Sequence, residues 1–144
     1  MIVIGDTSGL VAAFNSADPE HIAARDSLAE AALTVISPLV LLEIEHVATK
    51  LVGRRDALAI NDWILRQEQT GRIAIPAVLA AELRAARMVQ NRYAALKLDL
   101  TDAVSVVLAD KFDTDTVLTL DRRDFRAVVP LNDAAAFRLL PDDR

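Results

Sequence analysis

Four short apolar runs set the strongest limit on what this chain can fold into. They are IVIG (Ile2–Gly5), LTVI (Leu33–Ile36), RIAI (Arg72–Ile75) and TVLTL (Thr116–Leu120). Each is too short for a stable helix, rich in β-branched residues, and apolar at consecutive positions, so both faces of the pleat ask for burial. The segments between them are long enough for helices and carry helical periodicity. Buried strands alternating with helices predict an α/β fold in which a mainly parallel sheet of four to five strands is covered on both faces.

The intervening helices have readable ends. Thr7 or Ser8 can cap LVAAFN, and Pro19 suits the first turn of PEHIAARDSLAEAA. Ser37–Pro38 opens PLVLLEIEHVATKLV, which Gly53 stops, and RRDALAINDWILRQEQT follows up to Gly71, together a helical hairpin. AVLAAELRAARMVQNRY reads as the next helix. Thr101 is expected to cap TDAVSVVLADKF, whose middle is apolar nearly all round. DRRDF reads as a turn, and FRLLP near the end as a final edge strand.

The 144 residues, 53% of them hydrophobic and 26% charged, predict one domain over residues 1–144 with a single core. No cysteine is present, which excludes thiolate metal sites and a Cys nucleophile, so a metal would be held by oxygen or imidazole. The start, MIVIGDTSG, lacks a basic region and a long apolar stretch, and no window approaches the roughly 18 apolar residues of a membrane span. A cytoplasmic protein is expected. The net charge of −5 argues against coating nucleic acid through an overall positive field, while leaving room for a local basic rim.

In parallel α/β sheets ligands bind beyond the carboxyl ends of the strands, so acids placed there carry weight. Asp6 directly follows the first strand and Asp121 the fourth, which puts both at one sheet edge. Glu43 borders the apolar stripe of its helix, between Leu39 on one side and Val40 and Val47 on the other, whereas Glu45 points away as a solvated charge. Asp102 opens the buried helix and shares a face with Val106 and Ala109. Singly, each has an ordinary explanation: Asp6 and Asp102 as helix-start acids, Asp121 as a turn residue paired with an arginine. Together, four acids at one edge repel each other unless cations neutralise them. Oxygen-only ligands favour Mg²⁺, with Mn²⁺ as a substitute, and such ions suit phosphodiester hydrolysis.

DTSGLVAAF, SPLVLLEIEHVATK, LTDAVSVVLAD and TVLTLDRRDF stand in this order along almost the whole chain. In this ordered set the chain resembles the PIN-domain ribonucleases, specifically the VapC toxins of type II VapBC toxin–antitoxin systems. The resemblance implies a PIN-like three-layer α/β/α domain and a Mg²⁺-dependent endoribonuclease. It makes Asp6, Glu43, Asp102 and Asp121 the catalytic, metal-binding quartet, with Thr7 or Ser8 supporting it by hydrogen bonding and Asp124 as an outer acid. It further implies inhibition by a cognate VapB-type antitoxin, homodimers and toxin–antitoxin hetero-oligomers, and a tRNA or rRNA substrate. Asp99 precedes Asp102 by three residues and is read as a loop acid with some supporting role, because the TDA context favours Asp102.

Arg122 and Arg123 flank Asp121 and are candidate RNA contacts at a groove rim; solvated ion pairs are the plainer alternative. Trp63 and Tyr93 suit packing better than base stacking, and His21 and His46 lack partners at ligand spacing. A non-toxin PIN-type RNA-processing nuclease would share the same quartet. A phospho-receiver domain would need paired acids after the first strand, where only Asp6 stands. A haloacid-dehalogenase-like phosphatase would need a second Asp where Ser8 stands. A PIN-like domain without catalysis is hard to reconcile with an intact quartet.

Overall fold

The computed structural model describes residues 1–144, and in it the apolar runs pair into one sheet. The strands are β1 (Ile2–Gly5), β2 (Leu33–Val35), β3 (Ile73–Ala74), β4 (Thr116–Leu118) and β5 (Arg138–Leu140). They lie in the order β3-β2-β1-β4-β5, and every neighbouring pair is parallel. FRLLP thus supplies an edge strand. Because successive side chains on a strand point to opposite faces, adjacent apolar residues serve different layers. Val3, Ile36, Leu118 and Leu140 join one core cluster, while Ile4, Val35, Val117 and Leu139 join the other.

The first cluster is closed by α1 (Thr7–Phe14), α2 (His21–Glu30), α3 (Pro38–Val52) and α4 (Arg54–Gln69). The second is closed by α5 (Ala80–Arg92), α6 (Leu100–Lys111) and α7 (Arg122–Ala127). Gly53 separates α3 from α4 with φ +93°, a left-handed conformation that a side chain would disfavour, and this allows the hairpin to reverse within one residue. Residues Asp102 to Ala109 of α6 are all buried, as an all-round apolar helix requires.

Three local expectations need correction. Asp6, not Thr7 or Ser8, holds the N-cap position of α1, because the helix already begins at Thr7. The cap of α6 is Asp99, not Thr101: its carboxylate accepts the Asp102 N–H at 2.8 Å, and the helix begins at Leu100. Asp is the stronger capping residue, and three residues separate it from the amide it satisfies, as capping geometry demands. DRRDF is not an open turn; Asp121 caps a short helix, α7, by accepting the Asp124 N–H at 3.3 Å.

The connections explain where a site can form. From β1 the chain moves outward to β2 and β3, then returns through α5 and α6 to β4 on the other side of β1. The strand order therefore reverses between β1 and β4, the place where parallel sheets open a crevice at their carboxyl edge. Register finishes the alignment: Gly5 lies opposite Leu118, and the Asp6 N–H donates to the Leu118 carbonyl at 3.0 Å. Helix α1 approaches this junction closely, since a Cβ on Gly9 would lie 2.5 Å from the Leu118 carbonyl oxygen. Only glycine permits that approach.

Candidate active site

Asp6 occupies the N-cap position of α1, yet its side chain makes no capping hydrogen bond. One carboxylate oxygen, Oδ2, instead accepts the Thr119 hydroxyl at 2.7 Å and the Ser8 hydroxyl at 3.0 Å. The other, Oδ1, is buried with no hydrogen-bond partner. Burial raises the Asp6 pKa above its ordinary value; the Thr119 and Ser8 hydroxyls pull it down, and the Glu43 charge pushes it up. The side chain is thus not engaged in starting the helix.

Asp102 projects from the first turn of α6, 8% exposed. Desolvation, the largest cause, together with the charges of Asp6, Asp99, Asp121 and Glu43 raises its pKa to about 9. Asp102, Asp121 and Asp124 each bring a carboxylate oxygen into a group lying within 4.8 Å of one another. Asp124 is also raised, first by burial and then by Asp121, and its Oδ1 is buried without a hydrogen-bond partner. Glu43, half-buried on α3, lies close enough for its charge to raise both Asp6 and Asp102. Glu45 does face elsewhere and pairs with Arg54 at 3.0 Å.

Among Asp6, Glu43, Asp102, Asp121 and Asp124 the only ion pair is Arg123 with Asp124 at 4.0 Å, and the Arg123 side chain is 76% exposed. Arg122 is occupied elsewhere: Nη2 donates to both Glu20 oxygens at 2.7 Å, and Nε donates to Asp142 at 2.6 Å. Its guanidinium ties α7 to the start of α2 and to the C-terminal tail. Of the two DTS hydroxyls, Ser8 reaches Asp6 while Thr7 Oγ1 is buried and makes no hydrogen bond. Consecutive helical residues point about 100° apart, so both cannot face the same carboxylate. Thr119 takes the second place, and sequence reasoning passed over it; the available signal was a hydroxyl in an otherwise apolar strand end, two residues before Asp121.

Do these residues suit a divalent cation? An ionised carboxylate oxygen buried without a donor is costly, and so is a group of mutually raised acids. A hard cation would relieve both, and the donor set is entirely carboxylate oxygen, as Mg²⁺ or Mn²⁺ prefers. The residues present fit such an ion: Asp102, Asp121 and Asp124 are the acids brought within reach of one cation, while Asp6 and Glu43 lie outside that group, near enough for their charges to act on Asp102.

Residues 3–129 match the PIN domain family model. Over 140 residues the chain is 35% identical to ribonuclease VapC26 of Mycobacterium tuberculosis, covering 96% of this chain and all of that protein. The chain belongs to the PIN-domain family as a VapC-type ribonuclease. Its fold is shared with the crystal structure of M. tuberculosis VapC20, a sarcin–ricin loop cleaving toxin, at a TM-score of 0.74 and 23% identity, covering 84% of this chain and 90% of that one. VapBC2 of Rickettsia felis, crystallised bound to a DNA fragment from its promoter, shares the fold at a TM-score of 0.67 and 18% identity, covering 96% and 98%. The VapC-type chain here is therefore a nuclease acting on RNA, its acids at the sheet edge where PIN nucleases use divalent metal. No helix is long and apolar enough to cross a membrane.

Proposed function

We propose that this VapC-type chain, acting as one PIN domain over its 144 residues, is a Mg²⁺-dependent endoribonuclease toxin of the cytoplasm, restrained by a cognate VapB-type antitoxin. The observation that carries the metal requirement is Asp6 Oδ1, buried and without a donor among acids that raise one another. Mg²⁺ bound there supplies the acidity that activates an attacking water and offsets charge on the scissile phosphate. Asp6, Glu43, Asp102 and Asp121 hold the ion, and Asp124 has a carboxylate oxygen within 4.8 Å of those of Asp102 and Asp121. Arg123, exposed next to these acids, meets a flanking phosphate; Arg122 keeps the tail and α2 in place.

A structured tRNA or rRNA loop is the proposed substrate, a class with a precedent in the sarcin–ricin loop cleavage of VapC20. Homodimer formation is supported by exposed Leu42 and Leu51 on α3 and Leu58 and Leu65 on α4. Antitoxin binding is supported by an apolar cavity of about 300 Å³ lined by Phe14, Leu28 and Trp63 and edged by Arg25 and Arg72. The R. felis relative, crystallised as a VapBC pair, is the precedent for such a hetero-oligomer.

The deciding experiment compares wild type and Asp6→Asn on purified tRNA and rRNA, in Mg²⁺ and in EDTA. Cleavage by wild type in Mg²⁺ alone, lost in the variant, is expected. Cleavage that survives chelation, or equal cleavage by the variant, overturns the metal reading. Induced expression separates a toxin from a processing nuclease: growth arrest by wild type and none by Asp6→Asn is expected.

A further inference from the structure

We infer that Thr119 is the positioning residue that couples the Asp6 carboxylate to the turn carrying Asp121, so that one buried hydroxyl sets two arms of the metal site. This deepens the metal reading and rests on it. A hydroxyl has one proton to donate and lone pairs to accept. The Asp121 N–H, which can only donate, lies 2.9 Å from Thr119 Oγ1. Thr119 therefore accepts from Asp121 and has its proton free for Asp6 Oδ2 at 2.7 Å. Ser8 repeats the arrangement, accepting the Leu120 N–H at 2.9 Å and donating to the same Oδ2 at 3.0 Å. With both protons directed at Asp6, the 3.2 Å approach of the two hydroxyls to each other is proximity, not a third bond.

Two donors on Oδ2 stop the carboxylate from turning and leave Oδ1 as the oxygen free for a cation. Thr119 differs from Ser8 in what it links and in how rigidly it is held. Its N–H donates to the Leu140 carbonyl at 3.0 Å, which seats it in the sheet beside β5, and it is 1% exposed. A β-branched side chain seated there has little χ1 freedom. Through it a hydrogen-bonded chain crosses the site: the Asp124 N–H to Asp121 Oδ1, the Asp121 N–H to Thr119 Oγ1, and the Thr119 hydroxyl to Asp6 Oδ2. Moving Asp6 or Asp121 therefore moves the other, and Ser8 has no such link to Asp121.

The test uses Mn²⁺ alone, titrated calorimetrically into the full-length protein, with melting curves in EDTA to show that each variant is folded. Thr119→Val keeps the shape and removes the hydroxyl; it is expected to weaken Mn²⁺ binding about 10- to 100-fold, the usual effect of losing a group that orients a ligand. Thr119→Ser is expected to stay within about threefold of wild type. Combined with Asp121→Asn, Thr119→Val should lose less than the product of the two separate losses, whereas Ser8→Ala with Asp121→Asn should multiply. Thr119→Ala gives the same readout should the valine variant not fold. Binding by Thr119→Val or Thr119→Ala within twofold of wild type, no recovery in Thr119→Ser, or multiplicative losses with Asp121→Asn would overturn the coupling. Absence of Mn²⁺ binding by wild type would overturn the metal reading itself, and the coupling with it.

Discussion

Replacing Asp102 by asparagine should stabilise the metal-free protein while removing its metal binding. In the fold, desolvation and four neighbouring carboxylates raise the Asp102 pKa from 3.8 to about 9. Below pH 4 the side chain is protonated folded and unfolded, and contributes nothing to the pH dependence. Between roughly pH 4 and pH 9 the unfolded chain has released the proton and the folded chain has not, so stability falls as pH rises, by about 1.4 kcal/mol per pH unit. At pH 7 roughly three units have been crossed, an upper bound of about 4 kcal/mol held against the fold by this one group. Asparagine carries no charge in either state, so its melting temperature in EDTA should exceed that of wild type. Recovering even half of the bound is worth roughly 6–8 °C in a chain of this size. Melts in EDTA at pH 5 and pH 8 are the measurement: the gap between the proteins should widen at the higher pH, and added Mn²⁺ should raise wild type and leave Asp102→Asn unmoved. A variant less stable than wild type at pH 8 in EDTA, or wild-type stability that increases from pH 5 to pH 8, would refute the reasoning.

Gly9→Ala should destabilise by about 1–3 kcal/mol through overpacking, because its Cβ meets the Leu118 carbonyl oxygen at 2.5 Å and must push α1 off the sheet; urea unfolding measures the loss, and activity should fall with it as Asp6 shifts. Arg122→Ala should cost about 1 kcal/mol or less, reduced by added salt, because the side chain that meets Glu20 and Asp142 is 40% exposed. The same change should leave RNA affinity at fixed salt near wild type. Arg123→Ala should do the reverse, leaving stability within about 0.5 kcal/mol while weakening RNA binding and lowering its salt slope by about one, as read from binding titrations at several salt concentrations.

What could be read from the sequence follows from which interactions are periodic. The sheet was legible because strands buried on both faces must be apolar at consecutive positions, and the division of Val3 and Ile36 into one layer and of Ile4 and Val35 into the other follows from alternation alone. Asp6 and Asp121 were legible because each ends such a run, and parallel register brings strand ends together. The position of Glu43 relied on helical phase, and its charge is near enough to raise Asp6 and Asp102. Thr119 was not legible, since threonine suits a strand for its branching and nothing in TVLTL says that its oxygen faces a carboxylate. Nor was the choice of Asp99 as cap, because Asp99 and Thr101 both suit that role and only the start of α6 at Leu100 decides between them. The engagement of Arg122 depends on Asp142 in a tail whose path is set by β5, beyond any local pattern. The roles hidden from sequence reasoning share a trait: each residue orients another part of the site through long-range or cap contacts. A group of acids that raise one another gains from rigidity, because an acid free to turn would move toward solvent and relieve the repulsion that makes a cation welcome. Two apolar layers, an approach open only to Gly9, and the hydroxyls of Ser8 and Thr119 all prevent that escape, so the crowding of acids that opposes stability without metal prepares the site to bind it.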